Sequence, residues 1–265
     1  MVHRIGVGLF VLLAGCSSSP SAANEDAGAP LDGGGDVGSI DAQPDAATIA
    51  DRKCTPIANV PDPLDIHGTI SDGTSLQAAG LAGATVDLVA DDETVLATAT
   101  TAADGTYTLA AVPTGGKPLK ARVRAKMTGY TTGSIRPVWG EFTHLSSFTL
   151  YPPSVHQQAA RAVGKTYDPA NAIFEVSLRN CNSGNPQDGL AGATFAFTPG
   201  SGMAYVDATG NPVKSLSATV APGGVGIDFA VPPGPVELRT TYAGATTKLA
   251  LASHAGEFHI VLDYP

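Results

Sequence analysis

Gly80-Leu81-Ala82-Gly83-Ala84-Thr85 returns as Gly189-Leu190-Ala191-Gly192-Ala193-Thr194, an offset of 109 residues, and this repeat decides how the chain is organised. Farther on, Ala111-Val112-Pro113-Thr114-Gly115 returns as Ala230-Val231-Pro232-Pro233-Gly234, an offset of 119. The second copy therefore carries an insertion between the two motifs. Residues 203–214, with Thr209-Gly210-Asn211-Pro212 as turn residues, are the natural place for an extra hairpin. Two tandem domains follow.

Apolar alternation predicts strands over 66–71, 85–89, 94–100, 106–109, 119–127, 131–136 and 146–151 in the first copy. Asp104-Gly105 is a hairpin-turn signal. The second copy repeats the rhythm over 173–179, 194–198, 204–207, 217–220, 226–231, 236–242, 246–252 and 257–263. One strand is out of step: Tyr107 and Leu109 lie six and four residues before Pro113, whereas Ile227 and Phe229 lie five and three before Pro232. A one-residue slip would turn a core set to solvent, so a bulge or changed loop is expected to restore it. Between the copies, Ser154 and Gln157 suit a capping box, Val155, Ala159 and Val163 recur at spacing four, and Gly164 suits the C′ position of a short helix. That helix either packs or serves as a mobile Ala-rich linker.

Gly83-Ala84-Thr85-Val86, Ala103-Asp104-Gly105-Thr106-Tyr107-Thr108-Leu109, Val112-Pro113-Thr114-Gly115 and Thr128-Gly129-Tyr130 resemble the carboxypeptidase regulatory-like domain. The resemblance covers about 64–151 and is weaker in the second copy, where Gly223-Gly224 stands in place of Asp-Gly and no Gly-Tyr follows. It implies a seven-stranded prealbumin-like sandwich and, since the domain is an appendage in the metallocarboxypeptidases, a non-catalytic module; its motifs are turn and core signals and predict fold better than function. The expected fold is all-β: two tandem seven- to eight-stranded antiparallel Greek-key β-sandwiches, after a signal peptide and a disordered tether.

Met1 to Cys16 holds Arg4, an apolar run over 5–13 and then Leu13-Ala14-Gly15-Cys16. The run is too short to span a bilayer and long enough for a signal peptide. Its end resembles the lipobox of bacterial lipoproteins, which implies cleavage before Cys16 and acyl chains on Cys16, a durable anchor when two or three are present. Ser17 after the cysteine, by the same analogy, favours the outer membrane. Residues 17–51 contain seven acids, no Lys or Arg, and otherwise mostly Ser, Ala, Gly and Pro. Such a segment cannot offset its ordering entropy and reads as a spacer of about 30–35 Å root-mean-square reach. The expected divisions are a signal peptide over 1–15, a lipidated acidic tether over 16–52, a first sandwich over 53–152, a helical connector over 153–166 and a divergent second sandwich over 167–265.

The chain has 265 residues, a net charge of −9 and only 15 % charged residues, where a soluble domain has about 25 %. The acidity lies mostly in the tether: residues 52–265 carry 17 acids against 14 bases. One local surplus of positive charge stands out, Lys120, Arg122, Arg124 and Lys126, alternating with Leu119, Ala121, Val123, Ala125 and Met127. It is either an anion-facing stripe or the solvated face of a strand. The expected partners are the membrane through the lipid anchor and an envelope protein or a glycan, with no nucleic acid.

Catalytic and metal-binding patterns are missing from the sequence. Asp91-Asp92-Glu93 reads as a loop tip kept soluble by charge. His254 and His259, five apart around Ala255-Gly256, suit a strand entry better than a ligand pair, and no cofactor or metal ligand is expected. Cys54 and Cys181 form an even pair once Cys16 is lipidated. They either bridge, closing a loop worth about 4–5 kcal/mol in the chain-entropy model, or remain a free thiol and a small buried residue. Tyr130, Trp139, Phe142, Phe148 and Tyr151 cluster within 22 residues. They either plug one end of the sandwich or expose Trp139, with Tyr130 nearby, to stack on a sugar. The reading is a non-catalytic, lipid-anchored envelope protein acting as a structural or protein-interaction module; the alternative is a surface carbohydrate-binding lipoprotein.

Overall fold

A computed structural model describes residues 60–74, 78–137, 147–179 and 189–263. Cys16, Cys54, Trp139 and Cys181 lie outside them, as do the segments expected to be a signal peptide and a tether.

Seven strands precede the helix: β1 (Leu64–Asp72), β2 (Thr85–Ala90), β3 (Val95–Thr100), β4 (Thr106–Val112), β5 (Ala121–Lys126), β6 (Thr132–Pro137) and β7 (Phe148–Leu150). Helix α1 (Pro153–Ala162) leads to β8 (Ala172–Leu178), β9 (Thr194–Thr198), β10 (Ala204–Val206), β11 (Pro212–Val213) and β12 (Val225–Val231). The chain continues through β13 (Gly234–Tyr242), β14 (Ala245–Ser253) and β15 (Glu257–Asp263). The β10–β11 pair is the extra hairpin, turning at 207–211. No strand forms at 217–220, contrary to expectation. Thr219 there instead repeats what Thr101 does after β3. Thr101 Oγ1 donates to the Leu81 carbonyl at 2.6 Å and accepts from Ala84 N at 2.9 Å. Thr219 Oγ1 makes the same pair of bonds with Leu190 and Ala193, at 2.7 and 2.9 Å.

The repeated six-residue motif thus acts through its backbone. Leu81 and Leu190 present a carbonyl to the threonine, and Gly83 and Gly192 turn at φ 78° and 83°, where a Cβ is disfavoured. Gly80 and Gly189 let the chain pass against the turns at Asp104-Gly105 and Gly223-Gly224.

Three sheets result: β4-β1-β7, β14-β13-β9, and a nine-stranded sheet in the order β11-β10-β12-β8-β15-β6-β5-β2-β3. The order β4-β1-β7 recurs inside the large sheet as β12-β8-β15, with the same sense of pairing: β1 is antiparallel to β4 and parallel to β7, and β8 is antiparallel to β12 and parallel to β15. The expectation of wholly antiparallel sheets is corrected by these parallel pairs and by a third, β15 with β6. That third pair joins the strands of the first repeat to those of the second. A C-terminal strand that follows β14 in sequence lies between β6 and β8 because both neighbours leave an edge that β15 can satisfy.

A strand in that position is covered on both faces, and β15 is mostly buried along its length, with Phe258, Ile260 and Leu262 on one face and Glu257, His259, Val261 and Asp263 on the other. Phe258 and Ile260 enter one core and Val261 the other. The first core holds Ile66, Ile70, Leu88, Leu109, Val123 and Leu150 and runs on under α1 to Ile173, Ile227, Phe229 and Ile260. The second holds Phe174, Val176, Phe195, Phe197, Leu238 and Val261. Each large side chain fully buried contributes about 1.5–3 kcal/mol. Strand β8 is buried at every residue for the same reason.

The out-of-step strand is explained by this two-sided burial. Both copies carry one extra residue at the same place: Leu64 and Ile66 pair with Val112 and Leu109, and Ala172 and Phe174 pair with Val231 and Asp228. The bulge is therefore shared and does not return Ile227 and Phe229 to the face of Tyr107 and Leu109. They stay on the opposite face, which lies in the first core. Asp228 takes the position matching Leu109, fully buried, with its carboxylate accepting from Ser201 N at 3.0 Å, Gly202 N at 3.2 Å and Ala230 N at 3.1 Å.

Helix α1 packs rather than dangles: Ala159, Ala160 and Val163 are buried in the first core. The expected capping box does not form. Pro152 is the N-cap and makes no side-chain bond, while Gly164 does adopt φ 73° at the C-terminal end.

Candidate functional site

The polar side of the large sheet, opposite the first core, carries Asp87 of β2, Arg122, Arg124 and Lys126 of β5, and Ser134 and Arg136 of β6. Its cations are paired. Arg122, only 3 % exposed, donates from Nη1 and Nη2 to the two oxygens of Glu93 at 2.8 and 2.7 Å. Arg124 lies 3.0 Å and Lys126 3.7 Å from Asp87, and Arg136 pairs with Asp91. Lys120 is exposed and precedes β5. Arg122, Arg124 and Lys126 are therefore not a row of open cations, as the anion-facing alternative would have them, and the acidic loop tip is not merely a solvated one. Glu93 turns back at φ 68° to reach Arg122. That double hydrogen bond holds the Glu93 carboxyl down at about 2, against the smaller opposing effect of burial.

At the seam where β15 meets β6 this face becomes a cluster. Glu257 and His259, two apart on β15, share one side of the strand. The turn His254-Ala255-Gly256, closed by Glu257 N donating to the His254 carbonyl at 3.1 Å, folds His254 back over them. His254 Nε2 lies 3.2 Å from Glu93 Oε1, and its Nδ1 lies 3.6 Å from Glu257 Oε2. His259 Nε2 lies 3.7 Å from the same oxygen, and its Nδ1 is 2.8 Å from Ser134 Oγ. The His259 ring stacks on Phe174 with centroids 4.5 Å apart. Burial, helped by the charges of His254, Arg122 and Arg136, pushes the His259 imidazole well below its ordinary value, so it is neutral at pH 7.

Ser134, His259 and Glu257 superficially suggest a nucleophile, base and carboxylate. Ser134 is 2 % exposed in the middle of β6 and its neighbour His259 is 4 % exposed, so no substrate carbonyl reaches Oγ in this conformation. What the group can do is hold an electrophile smaller than a substrate.

The sequence reading assigned no ligand here. The pattern that could have pointed to it is the i, i+2 pair on a strand directly after a tight turn carrying a third donor. Tyr130 is half-buried against the first core, and burial followed by its hydrogen bond to Asp72 raises its hydroxyl above the usual value. Its partner Trp139 in the alternative sugar platform, and Cys54 and Cys181 of the possible disulfide, fall outside the described residues.

No family profile matches the chain, and no curated protein does. Among solved structures it is similar to the Bacillus anthracis TIE protein (15 % identity over 76 % of this chain and 33 % of that one, TM-score 0.24). It is also similar to the shaft pilin SpaA from Lactobacillus rhamnosus GG (16 % identity, 77 % and 98 % covered, TM-score 0.22). A third is GBS52, the minor pilin of the gram-positive pathogen Streptococcus agalactiae (12 % identity, 75 % and 94 % covered, TM-score 0.26). The chain spans about a third of the first of these. Overlap this slight carries no functional argument.

Proposed function

We propose that this chain is a non-catalytic structural or protein-interaction module of the bacterial envelope, lipidated at Cys16 and displayed on an acidic tether. In this reading residues 53–152 and 167–265 are two tandem prealbumin-like sandwiches, and the outer membrane is their address. The observation that carries the reading is the shared strand β15, paired to β6 on one side and β8 on the other. A continuous sheet across the repeat resists bending between the halves, which suits a stiff spacer or scaffold and serves no evident catalytic purpose. Among the described residues no helix is long and apolar enough to cross a membrane, and the anchor is assigned to the lipobox-like Leu13-Ala14-Gly15-Cys16.

The anchor has a direct test. The full chain expressed in a lipoprotein-processing host is expected to partition into the detergent phase and to incorporate labelled palmitate. Cys16→Ser is expected to lose the label and move to the aqueous phase. Unlabelled wild-type protein, or a Cys16→Ser variant that still partitions into detergent, contradicts the anchored reading.

A further inference from the structure

We infer that His254, Glu257 and His259 form a binding site for a divalent transition-metal ion, with Zn2+ the best match. One donor atom from each residue lies within 4.8 Å of the other two. The donors are His254 Nδ1, Glu257 Oε2 and His259 Nε2, and each is buried without a hydrogen-bond partner. Three orphaned polar atoms converging on one point are costly unless something occupies it. Tetrahedral Zn2+ with bonds of about 2.0–2.1 Å sets donors about 3.3 Å apart. The separations of 3.6 and 3.7 Å from Glu257 Oε2 need to close by only a few tenths of an ångström.

The surroundings match what a metal site needs. Each imidazole has its second nitrogen engaged: His254 Nε2 at Glu93, 3.2 Å away, and His259 Nδ1 at Ser134 Oγ, 2.8 Å away. The Glu93 carboxylate favours the proton on His254 Nε2, and Ser134 Oγ can accept from His259 Nδ1–H, the arrangement that leaves His254 Nδ1 and His259 Nε2 with free lone pairs for the metal. His259 is only 4 % exposed, so its Nε2 is shielded from solvent and free of competing hydrogen bonds. The nearby cations Arg122 and Arg136 are already paired with Glu93 and Asp91 and oppose a bound dication less than free ones would. Two imidazoles and one carboxylate suit Zn2+ and its transition-metal neighbours better than Ca2+ or Mg2+, which prefer all-oxygen shells. The ion would tie the loop carrying Glu93, from the first repeat, to the last strand of the chain through His254.

The test uses the full chain stripped of metal with a chelator and titrated with Zn2+ by calorimetry, with Co2+ absorption as a second probe. One Zn2+ per chain is expected, together with the intense visible bands of four-coordinate Co2+ and a rise in Tm on adding Zn2+. Glu257→Gln, which keeps the side-chain shape, and His254→Ala, on the turn, are each expected to weaken binding at least about 100-fold and to abolish the Tm rise. No uptake at micromolar Zn2+ would overturn the inference and leave the three atoms sharing a water only. Uptake unchanged in both variants would overturn it equally.

Discussion

Gly80→Ala is expected to destabilise the protein by about 4 kcal/mol or more, a fall in Tm of at least about 8 °C for a chain of this size. A Cβ at Gly80 would stand 1.8 Å from the carbonyl oxygen of Asp104 and 2.1 Å from its carbon. Both atoms are backbone and cannot swing aside. The turn they belong to is fixed on either side, by Ile70 N donating to the Gly105 carbonyl at 2.9 Å and Leu81 N donating to the Ile70 carbonyl at 2.8 Å. Gly189→Ala meets the same obstruction in the second copy, 2.2 Å from Gly223. Gly83→Ala is the control: its φ is 78° but nothing lies within 4 Å of the added carbon, so it costs only about 1 kcal/mol. Equal losses at Gly80 and Gly83, measured by thermal unfolding, would show that backbone approach is not what the repeated motif provides.

Two buried groups are expected to pull the stability in opposite directions between pH 7.5 and pH 5. His156 is enclosed by Tyr151, Tyr167 and Phe258, and burial lowers its imidazole to about 4. The folded state then refuses a proton that the unfolded chain accepts below about 6.5, so this group costs stability as pH falls from there toward 4. Glu175, in the middle of β8, is raised to about 7 by burial, against a smaller opposing effect of Arg179. Its folded form keeps a proton that the unfolded chain gives up above about 4.5, so its contribution is present at low pH and lost as pH rises through 7. Each group changes the stability by about 2 kcal/mol across this interval. His156→Phe, which removes a ring nitrogen with no hydrogen-bond partner, is expected to gain about 2 kcal/mol on its parent at pH 5 relative to pH 7.5. Glu175→Gln is expected to lose about as much over the same interval. Denaturant titrations at the two pH values read both effects, and parallel pH profiles for parent and variants would contradict them.

The legible part of the fold was the part written in local chemistry. The six-residue repeat, the alternation along β1 to β7 and the turn residues at 209–212 each depend on neighbours in sequence, and each led to the element found. What escaped depended on contacts made across the repeat. Ile227 and Phe229 look misplaced because period-two alternation reveals two faces but not which of them is buried, and here the second packs into the first core. Phe258, Ile260 and Val261 spell a strand buried on both faces, yet nothing local tells that β6 is its partner. The polar cluster was hidden for the same reason. Glu93 and Arg122 are 29 residues apart, Ser134 and His259 are 125 apart, and only the β6–β15 pairing brings them into one place. Arg122 reads as one of four cations in a charged stripe because its strand alternates, while its partner Glu93 sits in the turn between β2 and β3.

Strand β15, paired to β6 and to β8, is expected to make the two repeats one mechanical unit. Scanning calorimetry of residues 17–265 measures this directly. A single transition is expected, with the calorimetric enthalpy equal to the van't Hoff enthalpy for all the residues of both repeats. Two resolved transitions, each carrying about half of the total enthalpy, would contradict it, because halves that unfold separately cannot be sharing a central strand.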